Sequence, residues 1–99
     1  MANQNLSYNS SKNPYLLQRV NTASPEKLIS MLYEIGAKSC RVKDRPKAAK
    51  VLVELIAALN FEYKEIATGF FDLYRYALDE VNKNGFENAL EVFEELNDV

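Results

Sequence analysis

The fold is decided by residues 66–81, which read IATGFFDLYRYALDEV. At 100° per residue, the apolar side chains of this stretch fill an arc of roughly 160°, and charged or polar residues fill the opposite side. The arc consists of Ile66, Ala67, Phe70, Phe71, Leu73, Tyr74, Ala77, Leu78 and Val81. This spacing predicts a helix over about 62–82 that packs one face against a core.

The residues after this stretch predict a chain reversal and a further helix. Residues 82–85 read NKNG, and Gly85 is available for a left-handed cap. The next helix is expected over about 86–98. Its outer face is acidic, with Glu87, Glu91, Glu94, Glu95 and Asp98. We interpret this face as solvated, because it lacks the spaced loop that calcium sites use.

The residues before this stretch predict a helix over about 45–60, with Asp44 as its cap and Pro46 in its first turn. The apolar residues of this helix span roughly 200°, more than a surface helix needs. Two interpretations have equal weight. The surplus marks a face that binds a partner, or this helix is simply the most buried of the set.

An earlier helix is predicted over about 25–42. Ser24 can accept hydrogen bonds from the first turn, and Pro25 suits the first helical position because its missing N–H needs no partner there. Glu26 favours the positive end of the helix dipole. The apolar face of this helix is also broad.

Together these segments predict an all-α chain. Short connections imply antiparallel neighbours, so we expect an antiparallel up-down four-helix bundle over residues 14–99. Residues 1–13 are rich in Asn, Ser and Gln and predict a flexible N-terminal tail. The expected core residues are Leu28, Leu32, Leu52, Leu55, Leu59, Phe70, Leu73, Tyr74 and Phe93.

The composition of the chain argues against catalysis. Its 99 residues include no histidine and one cysteine, Cys40, and carry a net charge of −2. A Ser-His-Asp triad and histidine metal ligands are therefore excluded, and Cys40 is interpreted as a small buried hydrophobe. We expect a cytoplasmic protein that is not an enzyme, holds no cofactor or metal, and binds neither nucleic acid nor membrane.

The tyrosines divide into two groups. The spacing of Tyr33 and Tyr74 places them in the core or at its rim, where a hydroxyl group can keep a polar partner. Tyr8 and Tyr15 fall outside the predicted helices, and we expect them to take part in an interaction.

Two segments resemble a known family. Residues 15–33, YLLQRVNTASPEKLISMLY, look like the opening signature of the FliS family, the flagellar export chaperones for flagellin. Residues 73–76, Leu-Tyr-Arg-Tyr, are similar to that family's Leu-Tyr-Asp-Tyr segment, with Arg75 in place of the aspartate. The resemblance covers about residues 15–99.

The chain also departs from the pattern of that family. The stretch between Tyr33 and Glu54 is shorter by about three helical turns, and the stretch after Tyr74 by about one turn. The tryptophan-bearing C-terminal tail of the family has no counterpart. Since the two shortened connections lie at the same end of an up-down bundle, we expect one end of the bundle to be trimmed.

The resemblance implies a cytosolic chaperone of bacterial flagellum biogenesis and type III secretion. Such a protein binds the C-terminal helical segment of flagellin and prevents premature polymerisation. The resemblance further implies that the N-terminal segment lies on the bundle, which would make Tyr15, Leu16 and Leu17 a displaceable plug.

On the helix expected over 45–60, we place the binding face at Ala49, Val53 and Ile56. The other apolar side of this helix is assigned to the core, because it forms the better core stripe, with Ala48, Leu52, Leu55 and Leu59. Tyr76, in the second family-like segment, is a further candidate. The alternative function is a self-associating helical bundle, such as a homodimer, with no flagellin client.

Overall fold

The computed structural model describes residues 24–98, which form four helices and no strand. The helices are α1 (Pro25–Arg41), α2 (Arg45–Ala57), α3 (Lys64–Asn82) and α4 (Phe86–Asn97). The all-α class is confirmed. The predicted tail over residues 1–13 and the proposed plug at Tyr15, Leu16 and Leu17 lie outside the described residues.

The first two helices begin at side-chain caps. The Ser24 hydroxyl oxygen accepts a hydrogen bond of 3.2 Å from the backbone N–H of Lys27, and Pro25 occupies the first turn of α1. Asp44 caps α2 by accepting from the N–H of Lys47 at 3.2 Å. Each cap supplies an acceptor to N–H groups that have no partner within the helix, which stabilises the helix start by about 1 kcal/mol.

The connection between α1 and α2 is a three-residue turn. Lys43 adopts a left-handed conformation, with φ of 59°. Its N–H donates to the Cys40 carbonyl at 3.1 Å, and the Asp44 N–H donates to the Ser39 carbonyl at 2.8 Å. These two bonds form a Schellman motif, which satisfies carbonyl groups at the end of α1.

The connection between α3 and α4 repeats this geometry. Asn84 is the left-handed residue, with φ of 65°, and Gly85 has φ of −82°. The prediction that Gly85 supplies the left-handed cap is therefore wrong. Gly85 instead leaves room for the Glu80 carboxylate, because a β-carbon there would displace that carboxylate from its position beside Asn88. The Gly85 N–H donates to the Glu80 carbonyl at 2.6 Å.

The two turns lie together at one end of the molecule. A depression of about 520 Å³ is lined by Lys43 from the first turn and by residues 84–88 from the second. We call residues 42–44 and 83–85 the closed end. The turn between α1 and α2 and the turn between α3 and α4 are therefore neighbours in the fold.

The connection between α2 and α3 is longer than predicted. α2 ends at Ala57 rather than near residue 60, and α3 begins at Lys64 rather than near residue 62. Asn60 explains part of the difference, because its side-chain oxygen accepts from the Glu62 N–H at 3.0 Å and so stabilises a turn in place of a helix. Tyr63, at the start of α3, provides no side-chain cap.

The helices pack in a ring. Each helix contacts the next one in the chain, and α1 also contacts α4. Two polar contacts join α1 to α4: the Ser30 hydroxyl donates to the Asn97 side-chain oxygen at 3.3 Å, and Arg41 forms an ion pair of 3.2 Å with Glu94. The antiparallel up-down order stays a prediction with which these pairings agree.

The core lies at the centre of this ring. Phe93 is fully buried, and its ring covers Gly36 so closely that a β-carbon at Gly36 would collide with it. Of the residues expected in the core, Leu52, Leu55, Tyr74 and Phe93 are buried, and Leu32, Leu59, Phe70 and Leu73 are partly buried and pack against them. Leu28 is partly buried but lies outside this cluster.

Candidate binding surface

α2 turns one face to the core and leaves part of its apolar surface uncovered. Its buried residues are Ala48, Val51, Leu52 and Leu55. On the far side Lys47, Lys50 and Glu54 are exposed, together with Ala57 and Ala58. Apolar surface thus remains on one flank of α2, and both interpretations of its wide apolar arc stay open.

The predicted binding face lies on that flank. Val53 is 53% exposed, and Ala49 and Ile56 are partly buried and pack against the core from its rim. Ala49, Val53 and Ile56 are spaced at i, i+4 and i+7, so they form one continuous apolar shoulder on α2. We call these three residues the α2 shoulder.

Tyr76 does not lie beside the α2 shoulder. It is 47% exposed on α3, one turn before Glu80, and Glu80 accepts a hydrogen bond from the Asn88 amide of α4 at 2.9 Å. Residues spaced at i and i+4 share a helix face, so Tyr76 points to the α4 side of α3. The predicted set of binding residues is thus divided between two surfaces.

A second group of exposed apolar residues was not among the predicted site residues. Phe61, Tyr63 and Ile66 are all at least half exposed, and they surround the connection between α2 and α3. The Phe61 ring contacts the Phe71 ring edge to face, with centroids 6.4 Å apart. We call residues 58–66 the open end. Aromatic residues beside a predicted helix end were the signal available in the sequence.

The exposure of Ile66 corrects the helical-wheel interpretation of α3. Ile66 belongs to the predicted apolar arc but is 65% exposed. α3 has 19 residues, whereas α2 has 13 and α4 has 12, so α3 is longer by about 10 Å. Because α3 meets α4 at the closed end, its surplus turns project at the open end, where neither neighbour covers them.

One polar pair lies inside the core. The hydroxyl groups of Tyr33 on α1 and Tyr74 on α3 are 2.8 Å apart and share a hydrogen bond. Burial, with a smaller contribution from this bond, raises the pKa of Tyr74 well above its usual value. One hydroxyl donates to the other, so the bond links two diagonal helices inside the core.

Cys40 is buried in the same core, with 2% of its surface exposed. Desolvation raises the pKa of its thiol to about 11, and the nearby charge of Arg41 only partly opposes this shift. The thiolate, not the thiol, is the nucleophile, so Cys40 is unreactive at neutral pH. Its surroundings match those of a packing residue.

Glu80 is the charged residue that organises the closed end. Its carboxylate accepts from the Asn88 amide at 2.9 Å and pairs with the Lys83 ammonium group at 3.1 Å. These two interactions hold the pKa of Glu80 below its usual value, because both favour the ionised form. Glu80 therefore ties the end of α3 to the start of α4.

Neither a metal-binding cluster nor a membrane-spanning helix occurs among the described residues. Residues 24–98 contain no cluster of three or more acidic or cysteine side chains placed to hold a metal ion. Among the four helices, none combines the length and the apolar character that a membrane crossing needs.

No family model, curated protein or solved structure matches the chain.

Proposed function

We propose that this protein is a flagellar export chaperone of the FliS type, which binds the C-terminal helical segment of flagellin in the cytosol and prevents its premature polymerisation. The observation that carries the proposal is the α2 shoulder, an apolar strip that the rest of the bundle leaves partly uncovered. The resemblance of residues 15–33 and 73–76 to the family supplies the identity of the client.

The geometry of the α2 shoulder suits an amphipathic helix. A segment that folds on binding gives up roughly 2–5 kcal/mol of free energy in ordering. Apolar contacts must offset this cost, and an amphipathic client helix supplies them by laying its own apolar face against an apolar strip of the receiving protein. Ala49, Val53 and Ile56 form such a strip, because they are spaced at i, i+4 and i+7. Lys50 and Glu54 at the adjoining edge are exposed and can orient the client.

The second family-like segment divides its two tyrosines between separate roles. Tyr74 is 3% exposed and bonds to Tyr33 inside the core, whereas Tyr76 is about half exposed on the α4 side of α3. The first tyrosine therefore stabilises the bundle, and the second is available to a partner. This division supports the use of α3 as a further contact for a client that wraps around the bundle.

The first test is isothermal titration of the protein with the C-terminal segment of flagellin from the same organism. We expect saturable one-to-one binding with a negative heat-capacity change, because apolar surface is buried. Replacement of Val53 by Ser should weaken binding by about tenfold. Val42→Ser is the matched control, because Val42 is exposed to a similar extent but lies at the closed end, away from the α2 shoulder.

Two results would overturn the proposal. A folded sample that does not bind the flagellin segment would exclude flagellin as the client. An equal loss of affinity in the Val53→Ser and Val42→Ser variants would exclude the α2 shoulder as the binding site. Sedimentation of the protein alone tests the alternative function. Concentration-dependent self-association that Val53→Ser abolishes would assign the shoulder to a homo-oligomer instead.

A further inference from the structure

A separate depression lies between α1 and the start of α2, on the other flank of α2. It has a volume of about 240 Å³ and is formed by Ile35, Lys38, Ser39, Val42, Asp44 and Lys47. Its apolar residues are accessible, since Ile35 is 39% exposed and Val42 is 64% exposed. We call this feature the α1–α2 depression.

Two of the polar groups in the α1–α2 depression already have partners. The Ser39 hydroxyl donates to the Ile35 carbonyl at 2.7 Å, and the Asp44 carboxylate accepts from the Lys47 backbone N–H at 3.2 Å. Within residues 24–98, neither the Lys38 nor the Lys47 ammonium group forms an ion pair. An apolar centre is thus flanked by two cations that can take new partners.

The charge around the α1–α2 depression is opposite to that of the whole chain. Residues 38–50 contain six basic residues and one acidic residue, a net charge of +5, although the chain as a whole carries −2. The single acid, Asp44, is engaged as the cap of α2. Of the six basic residues, Lys38 and Lys47 line the depression, whereas Arg41 is paired with Glu94 of α4. The depression itself therefore holds two cations and one acid, an excess of positive charge that favours a negatively charged partner over a basic one.

We propose that the α1–α2 depression binds an acidic amphipathic helix of a partner protein. One aliphatic side chain of the partner covers Ile35 and Val42, and carboxylates one turn to either side of it pair with Lys38 and Lys47. The two lysines favour an acidic partner, and the apolar centre favours a partner that also brings an apolar side chain over one that offers charged groups alone. Nucleic acid phosphates, for example, carry no apolar group that would cover Val42.

This surface is distinct from the α2 shoulder. Lys47 and Val53 are six residues apart on α2, which separates them by roughly 120° around the helix axis. The inference therefore does not depend on the proposal that the protein binds flagellin. A chaperone with both surfaces could hold a client on one flank of α2 and a second protein on the other.

The test uses fluorescence anisotropy with three labelled, alanine-based helical peptides at low salt. The first carries one leucine with a glutamate one turn before it and another one turn after it. The second replaces both glutamates by glutamine, and the third replaces the leucine by serine. We expect saturable binding of the first peptide and about fivefold weaker binding of each of the others.

Paired variants of the protein locate the site. Val42→Ser should weaken binding of the first peptide by about fivefold. Ile66→Ser is the matched control, because Ile66 is 65% exposed but lies at the open end. This variant should bind the first peptide as tightly as the unchanged protein does. Val53→Ser should also leave peptide binding unchanged, so that failure of this proposal and failure of the flagellin proposal are distinguishable.

A charge series completes the test. The double change of Lys38→Gln and Lys47→Gln should remove the preference for the glutamate peptide over the glutamine peptide, whereas Lys27→Gln with Lys64→Gln should retain it. Absence of binding would overturn the inference. Equal affinity for the leucine and serine peptides would also overturn it, because it would indicate attraction of any anion. Equal effects of Val42→Ser and Ile66→Ser on peptide affinity would overturn it as well.

Discussion

The two ends of α2 are built in different ways. At the closed end, two turns of three residues satisfy the last carbonyl groups of α1 and α3, and Glu80 links α3 to α4 through Asn88. At the open end, six residues separate α2 from α3, the start of α3 has no side-chain cap, and Phe61, Tyr63 and Ile66 are exposed. One end therefore concentrates backbone hydrogen bonds, and the other concentrates uncovered apolar surface.

This difference indicates how a short bundle can combine stability with binding. A small domain has a limited core, so tight turns that satisfy the helix ends contribute a large share of its net stability. Apolar surface left exposed contributes little to stability, and it becomes useful only when a partner covers it. We therefore expect substitutions at the closed end to change the free energy of unfolding, and substitutions at the open end to change it little.

The largest expected effect contrasts two glycines. Gly85→Ala places a β-carbon against Glu80 at the closed end and should lower the free energy of unfolding by about 1–2 kcal/mol. Gly69→Ala, on the exposed side of α3, places its β-carbon in open space and should raise the free energy of unfolding by about 1 kcal/mol. Denaturant titration of both variants measures the two changes in the free energy of unfolding. Changes of the same sign in both variants would refute the contrast.

The next effect concerns the left-handed residues of the two turns. Asn84→Ala should destabilise the protein by about 1 kcal/mol, because alanine tolerates a positive φ less well than asparagine. Lys43→Gly should stabilise it by about 0.5–1 kcal/mol, since glycine adopts that conformation without strain. Thermal unfolding resolves both shifts. Stabilisation by Asn84→Ala would mean that the turn is not held in this conformation.

A smaller effect depends on pH. The pKa of Glu80 is lowered in the folded state by Asn88 and Lys83, so its contribution to stability is present above its ordinary pKa of about 4.3. This contribution is lost as the pH falls through the lower, folded-state pKa. Denaturant titrations from neutral pH to acid should show a smaller loss for Glu80→Gln than for the unchanged protein. Identical pH profiles would exclude this role of Glu80.

The smallest effect is a gain at the open end. Tyr63→Asp supplies the side-chain cap that α3 lacks and places a negative charge at the positive end of its dipole. We expect an increase of about 0.5 kcal/mol in the free energy of unfolding, measured by denaturant titration, with Tyr63→Ala as the control for loss of the ring. A decrease with aspartate would mean that the Tyr63 ring contributes to the fold.

Much of the fold could be predicted because its signals are local. The caps at Ser24 and Asp44 depend on neighbouring residues, and the helical periodicity of residues 66–81 requires no tertiary information. The burial of Leu52 and Leu55 in α2 and of Phe93 in α4 follows in the same way from the periodicity of those helices. These features are specified within one or two helical turns, which explains why the sequence alone reveals them.

Other features depend on relations between distant elements. The sequence could not show that Asn84 rather than Gly85 adopts the positive φ, because the crowding that requires a glycine at residue 85 comes from Glu80 in the folded turn. The exposure of Ile66 results from the unequal lengths of α3 and its neighbours. The α1–α2 depression likewise exists only after two helices have packed.

The most direct test of the proposed function is amide hydrogen exchange of the protein with and without the flagellin C-terminal segment. We predict that binding slows exchange over residues 45–57, which contain the α2 shoulder, and leaves residues 80–88 at the closed end unchanged. Slower exchange confined to residues 80–88, or no change anywhere at a saturating concentration of the segment, would contradict the account.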